Sequence, residues 1–319
     1  MFNLGELAMK KSLLALAVLG FTGAAMAQSS VTLYGVAVAG IGKIENGSDK
    51  TEFLSGSMMN NGVSRVGVRG VEDLGGGLKA GFTFETGLNL DDGSNNSAGA
   101  GFWGRTAKVW LGGGWGTLSL GRDYTASFKA VGAWELTSYA QYSVVGNTYR
   151  YLSAARDSSI IGYATPNMGG FSAEVNYILK QDGLDAGKAG AKWDLGLKYV
   201  NGPIGIGASA NKTKNGKTNY HVGGKYNFGS FAVATSYSQT SNAANQRRRG
   251  FSLGGSANLG AFALTLDLTR DTKNEIGGKK YTNGVLEGKY ALSKRTFLYA
   301  AYLRFDDTNN YGIGVRHNF

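Results

Sequence analysis

Apolar and polar residues alternate singly along much of this chain. Phe262, Leu264, Leu266 and Leu268 interleave with Ala263, Thr265, Asp267 and Thr269. Trp193, Leu195, Leu197 and Tyr199 interleave with Lys192, Asp194, Gly196 and Lys198, and Phe171, Ala173, Val175 and Tyr177 with Ser172, Glu174 and Asn176. A β-strand places successive side chains on opposite faces, so each segment has one greasy face and one wet face. No helix-period segment appears after Gln28. Each run is about ten residues, what a tilted strand needs to cross the hydrocarbon core, whereas globular strands average about five or six.

The breaks between runs fall into two kinds. Short ones lie at 73–77, 112–116, 166–170, 201–203, 229–230, 260–261 and 293–295. Longer ones lie at 42–61, 91–102, 124–156, 181–190, 214–217, 241–248, 273–280 and 306–309. Tight turns on one side and longer loops on the other describe an up-and-down transmembrane barrel. Seven turns and eight loops join sixteen strands, and an even count puts both chain ends on one side. The predicted fold is an all-β, sixteen-stranded antiparallel transmembrane barrel. Closure matters because an unpaired edge amide in hydrocarbon costs several kcal/mol. At this strand number the interior is too wide for side chains to fill, so water occupies it. A soluble sandwich needs shorter strands and two inner apolar faces, and a β-helix would show a short repeat that is not visible.

Composition sharpens the compartment. Lys10 and Lys11 precede an apolar run over 12–21, and Ala25-Met26-Ala27 supplies a small-x-small cleavage pattern. The run is too short for a membrane-spanning helix. Residues 1–27 are therefore predicted to be a removed signal peptide, with Met9 the candidate true start and 28–319 the barrel. Absence of cysteine means an exported fold not held by disulfides. With 51 Gly, 17 Tyr and 15 Phe but only 2 Pro, the chain suits strands and tight turns. The net charge of +11 suits anionic solutes or lipopolysaccharide; export argues against nucleic acid as a partner. The two histidines, His221 and His317, have no recognisable nucleophile partner, so no catalytic site, cofactor or metal site is predicted.

The last residues carry the sharpest signal. Tyr311, Ile313, Val315, His317 and Phe319 share one parity, and Phe319 ends the chain. This resembles the C-terminal signal that the barrel-insertion machinery recognises.

Several further stretches resemble the general porins of Gram-negative bacteria, most closely their beta-proteobacterial branch. They are Gln28-Ser29-Ser30-Val31-Thr32-Leu33-Tyr34-Gly35, Ser64-Arg65-Val66-Gly67-Val68-Arg69-Gly70, Glu72-Asp73-Leu74-Gly75-Gly76-Gly77-Leu78, Leu120-Gly121-Arg122-Asp123, Tyr163-Ala164-Thr165-Pro166-Asn167 and Leu292-Ser293-Lys294-Arg295-Thr296. The resemblance spans the whole mature chain. It implies a homotrimer of barrels, each narrowed by an inward-folded third loop, for which the longest break, 124–156, is the candidate. It also implies a basic ladder on the wall facing carboxylates on that loop. Arg65, Arg105 and Arg156 match the ladder, with Arg150 the fallback for Arg156.

Alternation places Arg65 and Arg69 inside, because Val66 and Val68 face lipid. For the fourth strand it is ambiguous. If Trp110 faces lipid, Arg105 points in and Lys108 out; if Val109 and Leu111 face lipid, the reverse holds. A lipid-facing Lys near the bilayer midplane costs about 2–4 kcal/mol. We expect Arg105 inside. Glu135 and Asp123 are the expected opposing carboxylates. Lys180, Lys192, Lys198, Lys225, Lys289 and Arg316 share the inner parity with Glu85, Glu174, Asp194, Asp267 and Glu287. A sparse negative side predicts anion preference at the narrowest point. Arg247-Arg248-Arg249 reads as a solvated loop end or a lipopolysaccharide contact. Tyr139, Tyr142, Tyr149 and Tyr151 leave open a substrate-specific channel for phosphate, organic acids or sugars. A loop-mediated adhesin or receptor is disfavoured by the short loops.

Overall fold

The computed structural model describes residues 30–45, 50–96, 101–151, 154–179 and 190–319. The predicted leader and Lys180 lie outside them. The strands are β1 (Ser30–Lys43), β2 (Glu52–Leu54), β3 (Arg65–Gly75), β4 (Leu78–Gly87), β5 (Thr106–Gly113), β6 (Gly116–Tyr124), β7 (Arg156–Ala164), β8 (Phe171–Ile178) and β9 (Lys192–Asn201). They continue as β10 (Ile204–Thr213), β11 (Asn219–Asn227), β12 (Phe231–Ser241), β13 (Arg247–Leu259), β14 (Phe262–Asn274), β15 (Thr282–Ala291), β16 (Thr296–Phe305) and β17 (Thr308–Asn318). Helices α1 (Ala126–Val131) and α2 (Val144–Tyr149) lie between β6 and β7.

From β3 to β17 each strand pairs antiparallel with the next, and β1 closes the ring. The first half of β1 pairs with β3, from Ser30 opposite Val71 to Val36 opposite Arg65. Its second half pairs with β17, from Val36 opposite Asn318 to Lys43 opposite Tyr311. Beyond β3 the short β2 covers Gly40 to Gly42. The wall therefore has sixteen spanning strands, with β2 an accessory strand inside the first long loop. Phe319 completes the seam by exchanging two backbone hydrogen bonds of 3.0 Å with Gly35.

The two faces sort as the alternation predicts. Leu264, Leu266 and Leu268 of β14 are exposed outward, while Thr265, Asp267 and Thr269 are buried inward. Outside, aromatic rings pair near the short-turn rim, Trp115 with Tyr163 and Phe262 with Tyr290. Tyr220, Tyr237 and Phe251 pack together toward the long-loop rim. Such aromatic girdles mark the two interfaces of a membrane barrel. Tyr311, Ile313, Val315, His317 and Phe319 all share the outer face of the last strand.

The break 124–156 is more ordered than an unstructured loop. Thr125 caps α1 by accepting from the Phe128 amide (3.1 Å), and Ser143 caps α2 by accepting from Gly146 (3.2 Å). Both helices lie against the inner wall. The Ser127 amide and hydroxyl donate to Asp194 (2.7 and 2.6 Å), and Thr148 bonds Thr269 (3.1 Å). The first loop also turns inward: Asn60 Nδ2 donates to the Tyr299 hydroxyl at 3.1 Å.

Where these loops meet β15 to β17 they form a small apolar core inside the barrel. Leu54, Met59, Tyr142, Val144, Val285 and Leu303 are all fully enclosed there. The strand pattern alone predicts a wholly water-filled interior. The difference arises because Val285, Tyr299, Ala301 and Leu303 are apolar residues at lumen positions, and the loops cover them.

Candidate pore constriction

A cavity of about 540 Å³ opens between the third loop and the wall. Five arginines line it: Arg65, Arg105, Arg122, Arg156 and Arg316. Among the described residues no carboxylate does. Glu85 of β4 lies largely buried behind the guanidinium groups. Arg105 Nε donates to it at 2.7 Å, Arg65 Nε lies 3.4 Å away and Arg156 Nη2 4.0 Å. The Tyr34 hydroxyl also donates to Glu85 at 3.1 Å.

Neutral groups also hold the arginines in place. Arg122 Nε donates to the Gly104 carbonyl (2.6 Å) and its Nη1 to the Ser158 hydroxyl (2.7 Å). Arg316 Nη1 donates to the Asn61 carbonyl at 2.9 Å. Arg156 lies over the Tyr124 ring, 3.8 Å from its centroid. Several cations around one carboxylate leave the cavity strongly positive. Low-dielectric walls magnify that field.

Arg65 and Arg69 face inward, as alternation requires, although Arg69 sits beside Tyr34 (5.4 Å) and outside the cavity lining. Arg105 and Arg156 line the cavity. Arg150 does not: it is the exposed, left-handed cap of α2. On β5, Val109 and Leu111 are exposed outward, yet Arg105 and Lys108 both turn inward. Arg105 immediately precedes the first β5 residue, so strand alternation does not bind it.

The expected loop carboxylates are placed elsewhere. Glu135 is buried in the third loop, accepting from the Tyr139 amide (2.9 Å) and the Ser143 hydroxyl (2.8 Å). It braces the loop and does not reach the cavity lining. Asp123 is bound by Lys108 (2.7 Å) and Lys129 (3.0 Å), and Lys129 also reaches Glu174 (2.7 Å). Burial alone would push the Lys129 ammonium down, but these two carboxylates outweigh it and hold it above its usual value. That chain of charges pins α1 to the wall.

Sequence reasoning missed Arg122 and the role of Glu85, and it placed Arg316 inside without assigning it to the constriction. Arg122 escapes the alternation because β6 and β7 slip register between Gly121 and Asp123. Gly121, with φ of 130°, is the visible signal, since glycine inside a strand often marks a bulge. Among the four tyrosines, Tyr139 and Tyr151 line the cavity, while Tyr142 and Tyr149 are fully buried. Burial, with the Glu287 carboxylate beside it, pushes the Tyr142 hydroxyl far up, so it remains a donor to Glu287.

The triplet Arg247-Arg248-Arg249 divides between faces. Arg248 turns inward and pairs with Asp271 (2.9 Å) and Asp306 (2.5 Å), while Arg247 and Arg249 take the outer parity. Asp306 and Asp307, with φ of 47° and 68°, form the two-residue turn between β16 and β17. They are engaged by Arg248 and Lys279 respectively.

A closed barrel with lipid-facing leucines, a polar inner wall and an infolded loop narrowing a charged passage defines a transmembrane diffusion channel. The Gram-negative porin family model matches residues 12–311, and the chain belongs to that family. It is an outer-membrane porin. The chain is 36% identical to outer membrane porin protein 32 of Delftia acidovorans over 73% of this chain and 70% of the relative. It is 31% identical to an outer membrane porin of Bordetella pertussis, over 98% of this chain and all of the relative. Among solved structures, an anion-selective porin from Comamonas acidovorans superposes with a TM-score of 0.74 at 24% identity, covering 92% of this chain and all of that one.

Proposed function

We propose that this porin passes small hydrophilic solutes with a preference for anions, and that Arg65, Arg105, Arg122, Arg156 and Arg316 form its charge filter. One observation carries the proposal: five guanidiniums and, among the described residues, no carboxylate line the cavity, and three of them share Glu85. Rings of basic side chains select anions by compensating the charge a permeating ion loses hydration for. The printed description of the Comamonas structure, an anion-selective porin, supports the same reading. Arg69 extends the positive wall beyond the cavity.

The working unit is a homotrimer. A structurally similar outer membrane protein of Vibrio cholerae, solved in a trimer form, supports that assembly. Insertion uses the outer-facing Tyr311, Ile313, Val315, His317 and Phe319 as the signal for the barrel machinery, after removal of residues 1–27. Arg247, Arg249, Arg270 and Arg304, which take the outer parity near the long-loop rim, suit lipopolysaccharide phosphates.

Reversal potential in a planar bilayer under a potassium chloride gradient tests the filter. The expected sign is that of chloride; a potassium-set reversal refutes it.

A further inference from the structure

We infer that Tyr34 is a positioning residue of the charge filter: its hydroxyl occupies one oxygen of Glu85 and so keeps Arg65 turned toward the passage. This deepens the anion preference proposed above and rests on it.

The first observation is the strand register. Tyr34 of β1 lies opposite Gly67 of β3, and Gly67 lies opposite Glu85 of β4. Directly opposed residues share a face, so the three form one row of the inner wall. Tyr34 and Glu85 stand two strands apart, roughly 9.5 Å. A side chain on the middle strand would bar the way. Gly67 has none, and a Cβ there would fall 2.5 Å from Tyr34 Cζ and 2.6 Å from its hydroxyl oxygen. The phenol lies across this gap, and its hydroxyl donates to Glu85 Oε2 at 3.1 Å. The Arg69 guanidinium sits over the same ring, 5.4 Å from its centroid, and holds it by a cation–π contact. Arg69 thus has a part in the filter although it lies outside the cavity lining.

The second observation is how the carboxylate is divided. Its Oε1 accepts from Arg105 Nε at 2.7 Å. Its Oε2 faces both the Tyr34 hydroxyl and Arg65 Nε, and Arg65 stays 3.4 Å away. A guanidinium free to approach a carboxylate closes to about 2.7–2.9 Å. Arg65 instead donates through Nη1 to the Val63 carbonyl at 3.1 Å and lines the cavity. The phenol is a neutral donor: it occupies the oxygen without cancelling any charge. Without the hydroxyl, the freed Oε2 draws Arg65 in, and a paired guanidinium offers less of its field to a passing anion.

The test is the chloride-to-potassium permeability ratio of Tyr34→Phe, read from reversal potentials in planar bilayers under a dilute potassium chloride gradient. The ratio is expected to fall about twofold, the share of one modest hydrogen bond. The effect passes through two residues, so Tyr34→Phe is expected to add nothing in the Glu85→Gln pore or in the Arg65→Gln pore. A crystal structure of Tyr34→Phe should show Arg65 Nε closed onto Glu85. Where Tyr34→Phe fails to assemble, Gly67→Ala displaces the same ring and is read in the same way. An unchanged ratio in the single variant, with wild-type chloride preference intact, overturns the role of Tyr34 and leaves the charge filter standing. An equal fall in either Gln background overturns it as well, because a general loosening of the wall needs neither Glu85 nor Arg65. Potassium preference in the wild-type pore overturns both.

Discussion

Glu85 holds together the arginines it would otherwise be outnumbered by, and this gives it an unusual predicted phenotype. Replacing it by Gln removes its negative charge from beside the cavity without shortening the side chain. Glu85→Gln is expected to raise the chloride-to-potassium permeability ratio, and Arg156→Gln to lower it, both read from reversal potentials. Arg248 belongs to a different part of the wall. It is the buried partner of Asp271 and Asp306, and truncation leaves two carboxylates facing each other. Removing one partner of a buried pair costs about 3–5 kcal/mol. Arg248→Ala should lower the midpoint of barrel unfolding in denaturant, with ion selectivity little changed. Single-residue alternation was enough to place Arg65, Arg69, Lys192 and Arg316 inside. It left Arg105 open, because that residue precedes its strand, and gave no place to Arg122, which follows a bulge; neither obeys the pleat.

At the scale of elements, the strands were legible because lipid outside and water inside impose one rule on every spanning segment. The seven turns and eight loops of the alternation recur in the structure within a few residues. The two third-loop helices were not legible. Each is 6 residues long, too short for a 3.6-residue period to emerge. The seat of α1 was also hidden, since glycines on the facing strands make room for it. A side chain at Gly207 would collide with the Ala130 carbonyl, and one at Gly196 with that of Ala126. Gly223 faces the Trp134 ring in the same way. Overpacking at such contacts typically costs about 1–3 kcal/mol. In a loop with water on its far side, that cost is relieved by displacement into the lumen. Gly207→Val is thus expected to change single-channel conductance and make it noisier, with the barrel still assembled. An unaltered current record would show that α1 does not rest on this strand.

For the whole molecule, one wall serves two solvents, and the interior is divided. Beside β15 to β17 the loops cover an apolar core. Beside β3, β5, β6 and β7 they leave the arginine-lined passage. The sequence pattern shows the closed wall but not this division, which depends on contacts between residues far apart in the chain, such as Asn61 with Tyr142 and Glu287. Charge, rather than width alone, should therefore govern what passes. Screening separates the two: the Debye length falls from about 30 Å at 0.01 M salt to about 3 Å at 1 M. The most direct measurement is the chloride-to-potassium permeability ratio of the wild-type pore across that range. The arginine filter predicts strong chloride preference in dilute salt that fades toward unity as salt rises. A ratio near one in dilute salt, or one favouring potassium, would contradict it.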